Sequence, residues 1–379
     1  MAIVKFGDIV REVKLNVDRA NNPYEFYVAG DHMDSEDLTI RRKGAFATDD
    51  VGPAFTRIFK PGQILYGSRR TYLKKVAVAD FAGICANTTF VLESKDPKVF
   101  CQELLPFIML SDRFSKWSIG HSKGSTNPYV LFSDLADFEI DLPSLEEQKV
   151  LADKLWAAYK VKESYRQLLT ATDDMVKAKF QKMFGDPFAK DDASKVNLGD
   201  ICTLNPRRTQ KYEADIEVSF FPMDVVYEDG RYTEFPKRTY KEVCKGFTFA
   251  EEGDVIFAKI TPCMENGKGT ILRDLANHIG FGSTEFHVLR PIKGVTTSEY
   301  LYALTSLPLF RKEAAKNMTG TGGQKRVPIT FLSEFRVTRP DYQEQKKFAN
   351  IFNQAEATKA SLRESIASID RVIRSIINQ

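Results

Sequence analysis

The 379-residue chain contains no CxxC pair, and its five cysteines, Cys85, Cys101, Cys202, Cys244 and Cys263, are an odd number at wide spacings. That pattern argues against a zinc site and a disulfide framework, so reduced, structural thiols are expected. Its four histidines, His32, His121, His278 and His287, form no HxxxH pair, and no metal residues are assigned. Neither GxxxxGKS/T nor GxGxxG occurs, so no nucleotide cofactor is indicated. Long apolar runs are missing as well. The longest, LLPFIML at 104–110, is too short to cross a membrane, and MAIVKFGDIV lacks a basic leader before an apolar stretch, so a cytoplasmic chain without a membrane partner is expected. Charge of one sign is also scarce: 54 Lys and Arg stand against 51 Asp and Glu, for a net charge of +3 and a pI near 8.4, too mild a balance to announce a nucleic-acid partner by itself.

Signatures of catalysis are equally thin. An amino-methyltransferase acting on bases would show Asn-Pro-Pro-aromatic, whereas the chain has Asn127-Pro128-Tyr129 and Asn205-Pro206-Arg207. A magnesium nuclease could draw on Asp80 with Glu93-Ser94-Lys95, but acid-x-Lys spacings are frequent by chance and Asp80 reads as a strand-end turn. No Ser/His/Asp arrangement can be proposed from spacing, and no catalytic or cofactor-binding residues are assigned.

What is present is an ordinary globular composition, 43% hydrophobic and 28% charged, with length for two or three domains. Two long helices organise it. The stretch from Glu146 to Pro187 carries Leu151, Leu155, Ala158, Lys162, Tyr165, Leu169, Thr172, Val176, Lys179 and Met183 at alternating spacings of four and three, the seam of a coiled coil. The last segment repeats it through Phe348, Phe352, Ala355, Lys359, Leu362, Ile366, Ile369, Ile373 and Ile376. Leu151 and Phe348, Leu155 and Phe352, Lys162 and Lys359, and Leu169 and Ile366 all stand 197 residues apart, as do Pro143 and Pro340, Glu147 and Glu344, and Gln148 and Gln345. The chain therefore reads as a duplication in which each half ends in a helix. Stripes of this length need a partner, and each is the other's simplest one. An antiparallel pair, roughly 57 Å long at 1.5 Å per residue, would carry two globular units at opposite ends of a rod.

The expected limits are a first unit at 1–143, a central helix at 144–188, a second unit at 189–340 and a closing helix at 341–379. Strand-like runs QILYG, KKVAVAD and TTFVLE, a helix over 97–117, a Gly/Ser loop, a short helix from Ser133 and a strand ending at Pro143 make up the first unit. The second echoes it: Gly7, Asp8 and Ile9 match Gly199, Asp200 and Ile201 at 192, Gly62 matches Gly253 at 191, and Val91 and Leu92 match Val288 and Leu289 at 197. Between those last two marks the second copy carries about six extra residues, within a region that begins at Lys259. A helix near 297–315, a Gly-rich loop and the strand SEFRVTRP complete it.

A kept scaffold with one changed loop region suits a protein that reads two different short sites on one extended ligand, and DNA is such a ligand. The loops after equivalent strands mix cations with hydroxyl, amide and aromatic groups: Arg69, Arg70, Tyr72, Lys74 and Lys75 in one copy, and Lys259, Thr261, Glu265, Asn266 and Lys268 in the other. Arg and Lys can bond guanine O6 and N7, and Asn can bond adenine N6 and N7. Two further loops, with Lys123, Ser125 and Asn127 and with Gly322, Gly323, Gln324, Lys325 and Arg326, offer backbone N–H groups and charge suited to phosphate. Each loop taken alone would more readily be a flexible turn. Other short basic groups, Arg41 to Lys43 and Arg207, Arg208 and Lys211, read as solvated surface.

In order, spacing and duplication the chain resembles the specificity subunits of type I restriction-modification systems. The resemblance is carried by YGSRRTYLKKVAVADFAGICANTTFVLES, by FAKITPCMENGKGTILRDLANHIGFGSTEFHVLRP, and by the loop, strand, Pro and Glu-Gln pattern at Gly124 to Gln148 and Gly322 to Gln345. It implies an α+β fold with two duplicated α/β target recognition domains, separated by two long helices that form an antiparallel coiled coil with pseudo-two-fold symmetry. It also implies a non-catalytic subunit that binds double-stranded DNA without a cofactor of its own and docks methyltransferase (modification) subunits and endonuclease/translocase subunits. The two half-sites would lie roughly one turn of duplex apart, on the order of 34 to 36 Å. Alternatives are a self-contained methyltransferase or endonuclease with duplicated readers, and a coiled-coil scaffold that ignores DNA.

Overall fold

The structure, a computed structural model, describes residues 2–18, 21–188 and 195–378. The chain divides into two compact units, Met1–Gln167 with Arg363–Gln379, and Leu168–Leu362. Each takes part of both long helices, Leu145–Phe184 and Tyr342–Ile377. The limit expected at 188/189 opens on residues 189–194, which lie outside the described residues.

In the first unit Ala2–Lys5 pairs antiparallel with Glu139–Leu142 at the neck of the domain. One four-stranded sheet follows the order Val10–Glu12, Thr89–Ser94, Ile64–Gly67, Val76–Val78, and a second the order Gly44–Ala45, Phe26–Val28, Gly83–Ala86, Phe55–Phe59. The strand ILYG is apolar on both faces because it lies between layers. Ile64 and Tyr66 face a core that includes Phe107, Phe114 and Leu155, whereas Leu65 faces the second sheet with Val28, Phe59 and Cys85. That alternation is the two-residue period of a strand buried on both sides, where each such side chain contributes about 1.5–3 kcal/mol.

The second unit repeats the topology strand for strand. Lys195–Asn197 pairs with Arg336–Thr338; one sheet runs Cys202–Leu204, Phe286–Pro291, Val255–Ala258, Gly269–Ile271, and the other Lys237–Thr239, Glu217–Phe221, Ile279–Gly282, Thr248–Glu251. Even the register is kept, Ile64 facing Leu92 as Val255 faces Leu289. Gly62 and Gly253 both take the third position of the turn before that strand, with φ of +85° and +84°, a backbone that glycine adopts without a Cβ penalty. The six extra residues of the second copy are spread over three successive connections, at 259–268, 272–278 and 283–285, rather than held in one loop.

Two helices expected to be continuous are broken. The segment over 97–117 becomes Leu105–Leu110 and Asp112–Gly120, because Ser111 adopts an extended backbone and caps the second helix by accepting from Phe114 N. The segment near 297–315 becomes Ser298–Ser306 and Pro308–Lys316, split where Pro308 removes a donor and takes the first helical position.

Each long helix is tied to its unit by the same glutamine. Gln148 accepts from Cys101 N at 2.9 Å and donates to Val99 O and Pro143 O. Gln345 accepts from Thr297 N at 3.1 Å and donates to Val295 O and Pro340 O. Both are buried. Of the seam expected from spacing, Leu155, Phe348, Phe352, Leu362 and Ile373 are buried, while Leu151, Tyr165, Leu169, Val176, Ile366 and Ile369 are partly exposed. Ala152, Tyr159 and Phe180, which the four-three spacing passes over, are buried, because the inner face of each helix packs on its globular unit as well as on the other helix. In the first unit the Lys162 amine donates to Asp370 at 2.5 Å; in the second Lys359 donates to Asp173 at 2.6 Å. Asp173 and Asp370 are again 197 residues apart.

Candidate nucleic-acid interface

In the first unit the loop after Ile64–Gly67 meets the Gly/Ser loop at 121–131. Arg70 N donates to Pro128 O at 2.7 Å, Val130 N donates to Ser68 O at 3.0 Å, and Arg69 and Tyr129 form a bridge. Tyr129 in turn exchanges two backbone bonds with Lys123, at 2.7 and 2.9 Å, which closes the Gly/Ser loop into a hairpin. Its turn needs Gly124, at φ +87°. Arg69, Arg70, Tyr72, Ser125, Asn127 and Tyr129 are left exposed on this ledge. Lys123 pairs with Asp134 at 3.0 Å, which holds that carboxyl below its usual range. Lys74 and Lys75 are engaged inside the unit: Lys74 Nζ bonds Asp112 at 3.0 Å, and Lys75 Nζ bonds Gly30 O.

The second unit builds the same junction from different side chains. Thr261 N donates to Lys325 O at 3.0 Å, Val327 N donates to Lys259 O at 2.9 Å, Ile260 bridges Arg326, and Arg326 exchanges backbone bonds with Thr319 at 2.8 and 2.9 Å. Gly320, Gly322 and Gly323 all have positive φ, and a Cβ at Gly320 would meet Gln324 O at 2.8 Å. Glu265, Asn266, Gln324 and Lys325 are exposed, with Lys259 and Thr261 half-buried. Lys268 Nζ donates to Met223 O at 3.2 Å. The Arg326 guanidinium grips both oxygens of Glu285, at 2.9 and 2.8 Å, and holds that carboxyl below its usual range. Lys325 is the exposed cation of the pair.

The two kinds of loop that the sequence suggests separately, one suited to base edges and one to phosphate, thus share one backbone junction in each unit. The basic group Arg41 to Lys43 is elsewhere engaged: Arg41 bonds Asp37 and Glu163, Arg42 pairs with Asp34, and Lys43 sits 3.3 Å from the centre of the Phe26 ring. Asp37, buried between Arg41 and Tyr159 of the central helix, loses solvation but gains bonds from both, and its carboxyl is lowered on balance. The acid-lysine triplet weighed as a nuclease is likewise occupied, Glu93 by Arg11 and Gln63, and Lys95 by Gly7 O. Among the described residues no group of three His, Cys, Asp or Glu is placed to hold a metal, and no helix is long and apolar enough to cross a membrane.

Charge and motif spacing overlook two buried groups in the second unit. His287 donates from Nε2 to Val327 O at 2.8 Å and accepts at Nδ1 from Asn205 at 3.2 Å; burial pushes its pKa down to about 4. Arg311 lies beneath the 259–268 loop. The duplication itself holds the signal for both, since the residues 197 earlier are Phe90 and Phe114: a polar group stands where the other copy has a core aromatic.

The sequence profile of the family described as type I restriction modification DNA specificity domain matches residues 11–169 and 190–371. The specificity subunit of the type I restriction enzyme EcoAI of Escherichia coli is 38% identical over 173 residues, which is 45% of this chain and 29% of that subunit; EcoEI, from the same organism, is 34% identical over 178 residues, 46% and 30% of the two. The matched stretches therefore span less than a third of either relative. Two solved structures share the fold across 99% of this chain. The type I restriction-modification system S subunit from M. genitalium has a TM-score of 0.58 at 14% identity over 94% of its own length. A chain from a structure described as showing complex assembly and conformational transition of the type I R-M system has 0.52 at 18% over 96%.

Proposed function

The chain belongs to the type I restriction-modification DNA specificity family, and from that premise we propose that it is the DNA-reading subunit of such a system, with no chemistry of its own. It recognises a two-part target in double-stranded DNA, one part through each unit, and docks methyltransferase and endonuclease/translocase subunits on its long helices. S-adenosylmethionine, ATP and Mg²⁺ are the partners' requirements. The observation that carries the reading is the repeated junction of a base-suited loop with a Gly-rich basic loop, built on one topology but lined by different side chains in the two units. A kept scaffold with changed reading groups is what two unlike half-sites require, because phosphate contacts position a protein and base contacts specify its sequence.

The test is to sequence methylated sites in cells that carry this chain together with its methyltransferase partner. A bipartite motif with unlike halves and a spacer of fixed length is expected. Methylation or cleavage that stays with the purified chain after stringent separation from other subunits would return the assignment to a self-contained enzyme.

A further inference from the structure

The loop 259–268 is folded on itself. Met264 N donates to Ile260 O, Asn266 N to Pro262 O, Gly267 N to Met264 O and Lys268 N to Cys263 O, all between 3.0 and 3.1 Å. Met264 is wholly buried, which anchors the loop, whereas Glu265 and Asn266 project from its tip. The carbonyls of Met264 and Gly267 flank that dipeptide, and Arg311 takes hold of both: Nη1 donates to Met264 O at 3.0 Å and Nη2 to Gly267 O at 3.3 Å. The guanidinium lies 5.3 Å from the Phe257 ring centre.

Arg311 is an expensive group to bury. No carboxylate pairs with it among the described residues, its Nε has no hydrogen-bond partner, and burial lowers its pKa to about 10. A cation removed from water without a counter-charge costs several kcal/mol, and the first copy does without one: Phe114 occupies the matching position and packs on Tyr66. Stability alone is therefore a poor reason for an arginine here. Its fork geometry, two donors at a fixed angle, suits the task of fixing two carbonyls a set distance apart. The side chains between them have base-reading chemistry, since Asn can make a two-point contact with adenine and Glu can accept from the exocyclic amine of cytosine.

Resting on the function proposed above, we infer that Arg311 is a positioning residue for a base-reading tip, Glu265 and Asn266, and thereby sets the sequence of the half-site read by the second unit. It touches no DNA itself; it fixes the direction in which the tip meets the base edges.

Base preferences at each position of both half-sites, read from methylated sites in cells with the methyltransferase partner, test this for Asn266→Ala, Arg311→Met and Arg311→Lys. Asn266→Ala should relax one or two positions of one half-site, on the order of tenfold in discrimination, and so identify the half that belongs to the second unit. Arg311→Met should relax those same positions and spare the other half. Arg311→Lys, whose ammonium can donate to the carbonyls but has no planar fork to hold them at a set spacing, should relax them less. A merely structural role would lower methylation of all sites and leave both motifs sharp. That result, an unaltered motif in Asn266→Ala, or, where Arg311→Met does not fold, a motif as sharp as wild type in Arg311→Lys overturns the inference. Failure of the wild-type chain to give a two-part motif would instead overturn the function on which it rests.

Discussion

His287 shows how one buried side chain couples acidity to the integrity of the loop junction. Its Nε2–H is spent on Val327 O, the residue after Arg326, and its Nδ1 on Asn205, so only the neutral imidazole fits. Burial sets the folded pKa near 4, with Lys259 pushing the same way and Glu285 opposing, against about 6.5 in an unfolded chain. Between those values the unfolded state binds a proton that the folded state does not. The stabilisation is therefore complete above about pH 6.5 and is lost as pH falls toward 4, a change on the order of 3 kcal/mol. Thermal melts from pH 7 to 4 should show a steeper loss of stability in wild type than in His287→Phe, which carries the first copy's residue. Parallel curves would remove His287 from the account. The cations divide in the same concrete way. Lys325 is exposed, whereas Arg326 is neutralised by Glu285, so Lys325→Ala should lower duplex affinity for all sequences and reduce the salt slope by about one. Arg326→Ala should act mainly by loosening the loop. Charge is visible in a sequence, but its local acceptor is not. For that reason Lys74, Lys75, Lys268 and Arg326 look like free cations until Asp112, Gly30, Met223 and Glu285 are seen beside them.

At the scale of elements, the helices show what periodicity can and cannot reveal. The four-three spacing finds Leu155, Phe348 and Phe352 but passes over Tyr159, whose hydroxyl donates to Asp37 at 2.6 Å and accepts from Leu38 N at 2.9 Å. A seam describes contact with one partner helix, whereas these helices also bury a face on their own units. Ser111 and Pro308 break helices that apolar content alone would continue. Both are ordinary cap and start signals, legible in retrospect from local chemistry. The paired ions within the seam make a sharper claim. Lys162 has a side chain 6% exposed, and its partner Asp370 is 36% exposed. Losing the lysine leaves a carboxylate that water can reach; losing the aspartate leaves a buried ammonium alone. Asp370→Asn should therefore destabilise the first unit more than Lys162→Met does, by about 1–3 kcal/mol; in the second unit Lys359 keeps Glu356 at 2.6 Å when Asp173 is lost, so the inequality between Asp173→Asn and Lys359→Met should be smaller there. Denaturant titrations of the four variants measure it, and equal losses within a pair would mean that the ion pair is solvated from both sides. Gln148 and Gln345 should be costlier still. Replacing either with Leu orphans buried backbone groups at about 1–3 kcal/mol each.

For the whole molecule, the duplication was open to reading from residue spacing, because matched offsets of 191 and 197 survive in the strand register itself. The placement of the loops was not, since a junction such as Thr261 with Lys325 joins residues 64 apart in the chain and no local pattern announces it. That modularity sets up the most decisive experiment. All candidate reading groups of the second unit lie between its neck strands, Lys195–Asn197 and Arg336–Thr338, which form a two-stranded sheet with each other. Its anchor to the closing helix, Gln345, bonds the backbone of Val295, Thr297 and Pro340 rather than their side chains, with a further bond from Thr296 Oγ1. Residues 195–338 of a homologous chain that keep this neck, a hydroxyl at the position of Thr296, and the rings of Tyr300, stacked on Phe180, and Tyr302, edge-on to Phe352, should graft onto the same helices. With the methyltransferase partner, the grafted chain should direct methylation to sites in which one half-site has taken the donor's sequence, while the other half and the spacer length stay as they were. The reciprocal exchange of residues 2–142 should alter the other half alone. If either exchange rewrote both halves, recognition would belong to the two units jointly and could not be divided between two independent readers.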